Sequence, residues 1–170
     1  LVAAYLGHLP GASAAIWDRY YPLVRQVLAR AIGPRHDVDD VYLGCGLRGG
    51  EQGLNMARIV NVMNGMDDVP GATITRYCAS SLQTTRMAFH AIKAGEGDVF
   101  VSAGVETVSR YVKGSSDGLP DTQNPLFADA VNRTAEFAAG GKVWHDPRED
   151  DTLQDIYIAM GQTAENLAQI

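Results

Sequence analysis

The chain has 170 residues, 46% of them apolar and 20% charged, which excludes a disordered or low-complexity protein. Its formal charge of −6 excludes the basic footprint of a nucleic-acid binder, and two cysteines, Cys45 and Cys78, are too few for a disulfide-built scaffold. No apolar run approaches the roughly 18 residues of a membrane span and no basic-then-apolar leader opens the chain, so the expectation is a cytoplasmic protein in a reducing compartment. In chain order, residues 13–32 carry apolar positions at helical spacing (Leu23, Val24, Val27, Leu28, Ala31, Ile32), with Pro22 breaking the interior and Gly33-Pro34 ending the run. Residues 41–44 form a short apolar strand, 47–53 a glycine-rich loop, and 54–64 a helix on Leu54, Ala57, Val60 and Met63 stopped by Gly65. Residues 72–76 are β-prone and run directly into Cys78. A second helix follows on Leu82, Thr85, Phe89 and Ile92, closed by Gly95, and then a strand at 99–103 ended by Gly104.

Strands alternating with helices imply an α/β fold with a mostly parallel sheet. The character changes after Arg110. Residues 114–124 are rich in Gly, Ser, Asp and Pro and read as loop, 124–139 as a helix, 140–151 as polar connection, and 155–170 as helix again. The expected organisation is therefore a first half over residues 1–110 and an excursion from the sheet over 111–170.

Cys78 falls where a strand becomes a helix. The first turn of a helix leaves backbone N–H groups unpaired and carries about half a positive charge, which favours a thiolate or a neighbouring oxyanion. The gain is at most about 2 kcal/mol, so an efficient nucleophile there would benefit from a basic partner such as histidine. Position alone fits a buried structural cysteine better, because free cysteine is among the most buried residue types.

The surrounding residues change that weighting. Thr75-Arg76-Tyr77-Cys78-Ala79-Ser80-Ser81-Leu82-Gln83 resembles the nucleophile segment of thiolases, Asn-Arg-x-Cys-x-Ser-Gly-Leu-Gln. Residues 49–58, 91–95 and 102–109 are similar to the family's preceding loop and helix, its next helix end, and the strand after it. Met160-Gly161-Gln162-Thr163-Ala164-Glu165-Asn166 is similar to its Met-Gly-x-Thr-Ala-Glu-Asn segment. These matches keep their order over residues 37–170. The resemblance implies the amino-terminal α/β half of a thiolase over 1–110, with 1–36 not matching, and the beginning of the family's inserted loop domain over 111–170. It implies an acyltransferase in fatty acid metabolism or β-oxidation that moves an acyl group between a cysteine and coenzyme A, by 3-ketoacyl-CoA thiolysis or the reverse Claisen condensation. Cys78 is then the nucleophile and Met160 lines the acyl pocket, although periodicity fits a core methionine equally well. Acyl-CoA and coenzyme A are substrates, no cofactor is permanently bound, no metal is expected, and the assembly is a homodimer or homotetramer built on the strand before Cys78.

Several positions depart from the pattern. Thr75 stands for the family's Asn and Ser81 for its Gly. No Gly-His-Pro and no second Cys-x-Gly follows Cys78, so the expectation is that the 170-residue chain alone is inactive. The alternative is a non-catalytic thiolase-derived fragment that binds acyl-CoA or a partner chain; a ketosynthase-type condensing enzyme is a third reading, disfavoured by residues 160–166. His90 and His145 read as ordinary helix and surface residues, Cys45 as a small buried residue, and Glu106 and Ser109 as partners of the loops around the nucleophile. Arg58 either faces coenzyme phosphates or is a solvated, salt-bridged helix residue. The acidic run at 146–151 lacks metal-ligand spacing and reads as a solvated face.

Overall fold

The computed structural model describes residues 38–111, 123–140 and 143–169, together with Pro22. The expected helix at 13–32 and most of the expected loop at 114–124 lie outside the described residues. Contacts divide the chain into two units, Leu1–Gly118 and Leu119–Ile170.

The first unit is a three-stranded parallel sheet in the order β2-β1-β3, with β1 at Asp40–Gly44, β2 at Gly71–Ile74 and β3 at Phe100–Gly104. Helix α1 (Met56–Met63) joins β1 to β2, and helix α2 (Ser80–Ala94) joins β2 to β3. The fold is α/β. The chain steps from β1 to one neighbour and then back across β1 to the other. Right-handed crossovers running in opposite directions put their helices on opposite faces of a sheet. Strand β1 is covered on both sides accordingly: Val41 and Leu43 join Val38, Ala57, Met66 and Val69 in the core under α1, while Gly44 meets the start of α2. A central parallel strand buried on both faces reads as a continuous apolar run, which is why Val41-Tyr42-Leu43 was legible.

Polar side chains fix the α1 crossover. Asn55 caps α1 by accepting from the Arg58 N–H at 3.4 Å and ties it to β2 by donating to the Gly71 carbonyl at 2.7 Å. Asn61, 1% exposed, donates to the carbonyls of Val69 and Pro70, so the turn into β2 keeps its buried acceptors paired. Leu54 is a correction. It sits before the cap with φ 55° and is 82% exposed, so the helix begins at Met56 and draws no core residue from position 54.

Helix α2 differs more from the expected pattern. It ends on Gly95 at φ 77°, as expected, but its buried residues are Ser80, Thr84, Ala88 and Ala91. Leu82, Phe89 and Ile92 are exposed at 73%, 55% and 47%. The physical reason is the spacing between helix and sheet. A Cβ on Gly44 would lie 2.8 Å from the Ser80 carbonyl carbon and the Ser81 nitrogen, and one on Gly104 would overlap the Ser81 hydroxyl. With glycine at the end of β1, α2 approaches so closely that its small-residue stripe faces the sheet. Thr84, fully buried, completes the contact through a 2.8 Å hydrogen bond with the Ser102 hydroxyl.

In the second unit, α3 (Ala128–Ala138) follows a 3-10 turn at Pro125–Phe127 capped by Asn124, and α4 spans Met160–Leu167. The expected helix at 155–170 is thus shorter at its start. Asp155 instead accepts from Arg133 at 2.7 Å, an ion pair that fastens the irregular segment before α4 to α3. Gln162 donates to the Thr134 carbonyl at 2.9 Å and joins α4 to the same helix.

Two glycine substitutions separate these constraints. Gly44→Ala forces β1 and α2 apart and is expected to cost about 1–3 kcal/mol, read as a lower denaturant midpoint. Gly161→Ala in α4 meets no atom within 4 Å and is expected to gain about 0.5–1 kcal/mol from helix propensity alone. Equal effects from the two would contradict the close-packing account.

Candidate active site

The carboxyl ends of all three strands open on one cavity of about 420 Å3, lined by Gly44 and Gly46 at the end of β1, Tyr77, Cys78, Ser80 and Ser81 after β2, and Gly104, Val105 and Glu106 at the end of β3. This is where the chain's crossovers leave for opposite faces, the place where open α/β sheets bind their ligands. The strand ladders continue into the rim, with Cys45 N–H donating to the Ile74 carbonyl and Val105 N–H to the Gly44 carbonyl, each at 2.9 Å.

Cys78 sits in a 3-10 turn, Tyr77–Ala79, that runs directly into α2. Tyr77 holds φ 47°, a left-handed conformation that costs a non-glycine residue about 1–3 kcal/mol unless its surroundings enforce it. Ser80 supplies the enforcement. Its buried hydroxyl accepts from the Arg76 N–H at 2.8 Å and donates to the Tyr77 carbonyl at 2.6 Å, closing the turn on both sides of the strained residue. Arg76 adds a 2.6 Å hydrogen bond to Gln83 one turn into the helix. The Cys78 thiol is free and exposed, on the cavity wall.

Thr75 and Ser81, the two departures in this segment, both have work to do. Thr75 donates to the Gly46 carbonyl at 2.9 Å, and Ser81 packs on Gly104.

A polar network below the cavity centres on Glu106. One carboxylate oxygen accepts from the Gly46 N–H at 2.6 Å; the other accepts from the Leu47 N–H at 3.2 Å, from Gln52 at 2.6 Å and from the Tyr111 hydroxyl. Burial pushes the Glu106 carboxyl up, but the Tyr111, Gly46, Leu47 and Gln52 donors outweigh it and hold the group below the usual carboxylate range. Gln52 is 1% exposed, and its amide oxygen accepts from the Thr107 N–H at 2.6 Å and hydroxyl at 2.8 Å. Glu106 therefore binds the loops around the cavity, as the sequence suggested. Gln52 and Tyr111 were missed. A glutamine in a glycine-rich loop carries no local signal when its partners lie 54 and 59 residues away.

Cys45 is fully buried; burial, then the neighbouring Glu106 carboxylate 3.7 Å from its sulfur, push its thiol up. Arg58 has partners that neither reading of it named. Its guanidinium donates to the carbonyls of Met66, Asp67 and Val69, and no carboxylate pairs with it among the described residues. His90 is exposed on α2 beside Phe89, and His145 lies 3.3 Å from Asp150 on an exposed turn. Met160 opens α4 in the second unit and is 72% exposed. Among the described residues no histidine lines the cavity, no group of three His, Cys, Asp or Glu could hold a metal ion, and no helix is long and apolar enough to cross a membrane.

The sequence model of the family described as thiolase, N-terminal domain, matches residues 15–170. The chain belongs to the thiolase family. It is similar to a 3-oxoadipyl-CoA/3-oxo-5,6-dehydrosuberyl-CoA thiolase of Escherichia coli, 35% identical over 153 residues that cover 86% of this chain and 35% of that protein. A beta-ketoadipyl-CoA thiolase of Pseudomonas knackmussii is 43% identical over 123 residues, covering 60% of this chain and 31% of that protein. The crystal structure of the Bacillus anthracis acetyl-CoA acetyltransferase aligns at 26% identity with a TM-score of 0.46, covering 68% of this chain and 34% of that one. The thiolase chain spans about a third of the length of the curated relatives it matches.

Exposure and burial set the order in which its two thiols react. Iodoacetamide followed by peptide mass spectrometry is expected to label Cys78 well before Cys45. Labelling in the opposite order would remove Cys78 from consideration.

Proposed function

We propose that Cys78 is the nucleophile of a thiolase-type acyl transfer to and from coenzyme A. The observation that carries the reading is the placement of an exposed thiol on a strained turn at the start of α2, facing the cavity at the carboxyl ends of the sheet. In the thiolytic direction the Cys78 sulfur bonds to the 3-keto carbon of a 3-ketoacyl-CoA. The resulting oxyanion collapses and breaks the bond between carbons 2 and 3, and the electron pair leaves on the acetyl-CoA fragment as an enolate that takes a proton. The coenzyme A thiolate then attacks the thioester, forms the shortened acyl-CoA and releases Cys78 as thiolate. Run backwards, the same steps are a Claisen condensation. The first turn of a helix is suited to the oxyanion of such a step, although here the Ala79 and Ser80 amides already donate to the carbonyls of Arg76 and Tyr77.

The family's names support the substrate class: 3-ketoacyl and 3-oxoadipyl thioesters of coenzyme A are what the relatives' names specify. We extend this to Met160 as a residue of the acyl pocket and to residues 111–170 as the beginning of the loop domain. Both enolate protonation and thiol activation need a proton-carrying group; besides Cys78, the described cavity lining offers the Tyr77, Ser80 and Ser81 hydroxyls and Glu106, which already accepts from four donors, and no histidine. That observation favours the second reading for the 170-residue chain taken alone, a module that binds an acyl-CoA or a partner chain without turnover.

Acyl-CoA incubation distinguishes the two. With acetoacetyl-CoA or acetyl-CoA the chain is expected to form a single acyl adduct on Cys78, absent in Cys78→Ala, without sustained coenzyme A-dependent cleavage. Binding without an adduct would leave only the non-catalytic reading, and sustained cleavage would show that the base is already present.

The strand order supports an association as well. Strand β2 lies at the edge of the described sheet, and its Thr73 and Ile74 suit pairing. In the family the strand before the nucleophile pairs with its own copy across a two-fold axis, an isologous contact that needs one self-complementary edge per subunit. Sedimentation of the protein carrying this chain is expected to show a dimer or tetramer at micromolar concentration; a stable monomer would sink the interface.

A further inference from the structure

We propose that Glu106 is the positioning residue of the Cys78 turn, acting through the backbone of Gly46. The inference rests on the reading of Cys78 as the reactive thiol and adds to it the part that holds that thiol in place.

The connection runs through one residue. The Gly46 N–H donates to one Glu106 oxygen at 2.6 Å, and the Gly46 carbonyl accepts from the Thr75 hydroxyl at 2.9 Å. A Cβ on Gly46 would meet that same Glu106 oxygen at 2.8 Å and the Tyr77 carbonyl oxygen at 3.2 Å. Gly46 is therefore wedged between the carboxylate after β3 and the strained residue that precedes Cys78. The Leu47 N–H anchors the same loop to Glu106, so two consecutive amides of the β1 loop are fixed to one acid. Hydrogen bonds from backbone N–H to a carboxylate are among the stronger ones, and a bidentate arrangement adds direction.

Glu106 is poorly placed to be a base in its own right. Gln52, Tyr111, Gly46 and Leu47 all donate to it, and the Cys45 thiol lies 3.7 Å away. The other charged or titratable groups around it are Arg48, which donates to the Leu54 carbonyl, and Tyr77 and Cys78 on the cavity wall.

A positioning role and a purely electrostatic one have opposite signs. Removing a negative charge from the cavity favours the thiolate and moves alkylation of Cys78 to lower pH. Releasing the turn takes the thiol out of alignment with the start of α2, withdraws that stabilisation, and moves alkylation to higher pH. Glu106→Gln removes the charge and substitutes an NH2 group for one of two acceptor oxygens, so one amide of the Gly46–Leu47 loop loses its partner.

The experiment is the pH profile of Cys78 alkylation by iodoacetamide in the full chain, followed by mass spectrometry, with thermal melting as a check on folding. In Glu106→Gln the pH of half-maximal rate is expected to rise by about half a unit, read as a roughly threefold slower labelling near neutrality. Tyr111→Phe, which keeps the charge and removes a single donor, is expected to rise less and in the same direction. An unchanged or lower midpoint in Glu106→Gln overturns the proposal; if that variant does not fold, the same result in Tyr111→Phe overturns it. The two readings fail separately. If the unsubstituted chain does not label Cys78 ahead of Cys45, the reactive-thiol reading falls. If it does and the midpoint fails to rise, only the role of Glu106 falls.

Discussion

The close approach of α2 to the ends of β1 and β3 governs the rest of the first unit. Gly44 removes the side chain that would hold the helix backbone away from the sheet, and Gly104 leaves room for the Ser81 hydroxyl. Once the gap is that narrow, the helix must face inward with Ser80, Thr84, Ala88 and Ala91. Cys78 is set by the same geometry, because the chain has only Thr75, Arg76 and the turn Tyr77–Ala79 in which to leave β2 and enter a helix lying against the neighbouring strand. The left-handed Tyr77 is the local cost of that short passage, and the Ser80 hydroxyl is what keeps it there.

Two carboxylates bracket the β1–β3 pair. Asp39, just before β1, accepts from the N–H groups of Asp98 and Val99 at 2.7 and 2.9 Å, and those donors hold it below the usual carboxylate range. Glu106, just after β3, does the equivalent for Gly46 and Leu47 at the other end. Each acid flanks one strand and holds the backbone beside the other. Together they fix the register of β1 against β3 at both ends, where parallel ladders otherwise run out of partners. The second bracket lies on the cavity and so reaches the functional turn.

Much of this was legible in the residues. The strands declared themselves because β1 and β3 are short apolar runs bounded by glycine, and α2 because its stop is a glycine in the left-handed region. Cys78 was found through the segment around it, not through its own chemistry. The helix faces were not legible in the same way. In α2 two stripes share the helical period, one of Leu82, Phe89 and Ile92 and one of small residues, and hydrophobicity alone chooses the larger. Only Gly44, on another strand, reverses the choice, and its effect depends on the tertiary contact. Arg58 shows a related limit. A helix-face cation invites a phosphate or a carboxylate, whereas three carbonyls of the following turn satisfy it. The Gln52–Glu106–Tyr111 cluster was half visible, since Glu106 follows a strand but its partners come from loops whose proximity no spacing encodes.

The contact between Ser81 and Gly104 reaches beyond this single chain. Ser81 occupies a position where thiolases usually carry glycine, and its hydroxyl fills the space a side chain at 104 would need. Without the Ser81 side chain, the nearest remaining atom to a Cβ at 104 is the Gly44 carbonyl oxygen at 3.6 Å, an ordinary contact. The two positions therefore draw on one small volume. Across related sequences they are expected to trade it: serine at 81 favours glycine at 104 or must turn its hydroxyl aside, while glycine at 81 frees 104 to become alanine. The evolutionary freedom of a residue at the end of β3 is thus decided at the first turn of a helix more than twenty positions earlier in the chain.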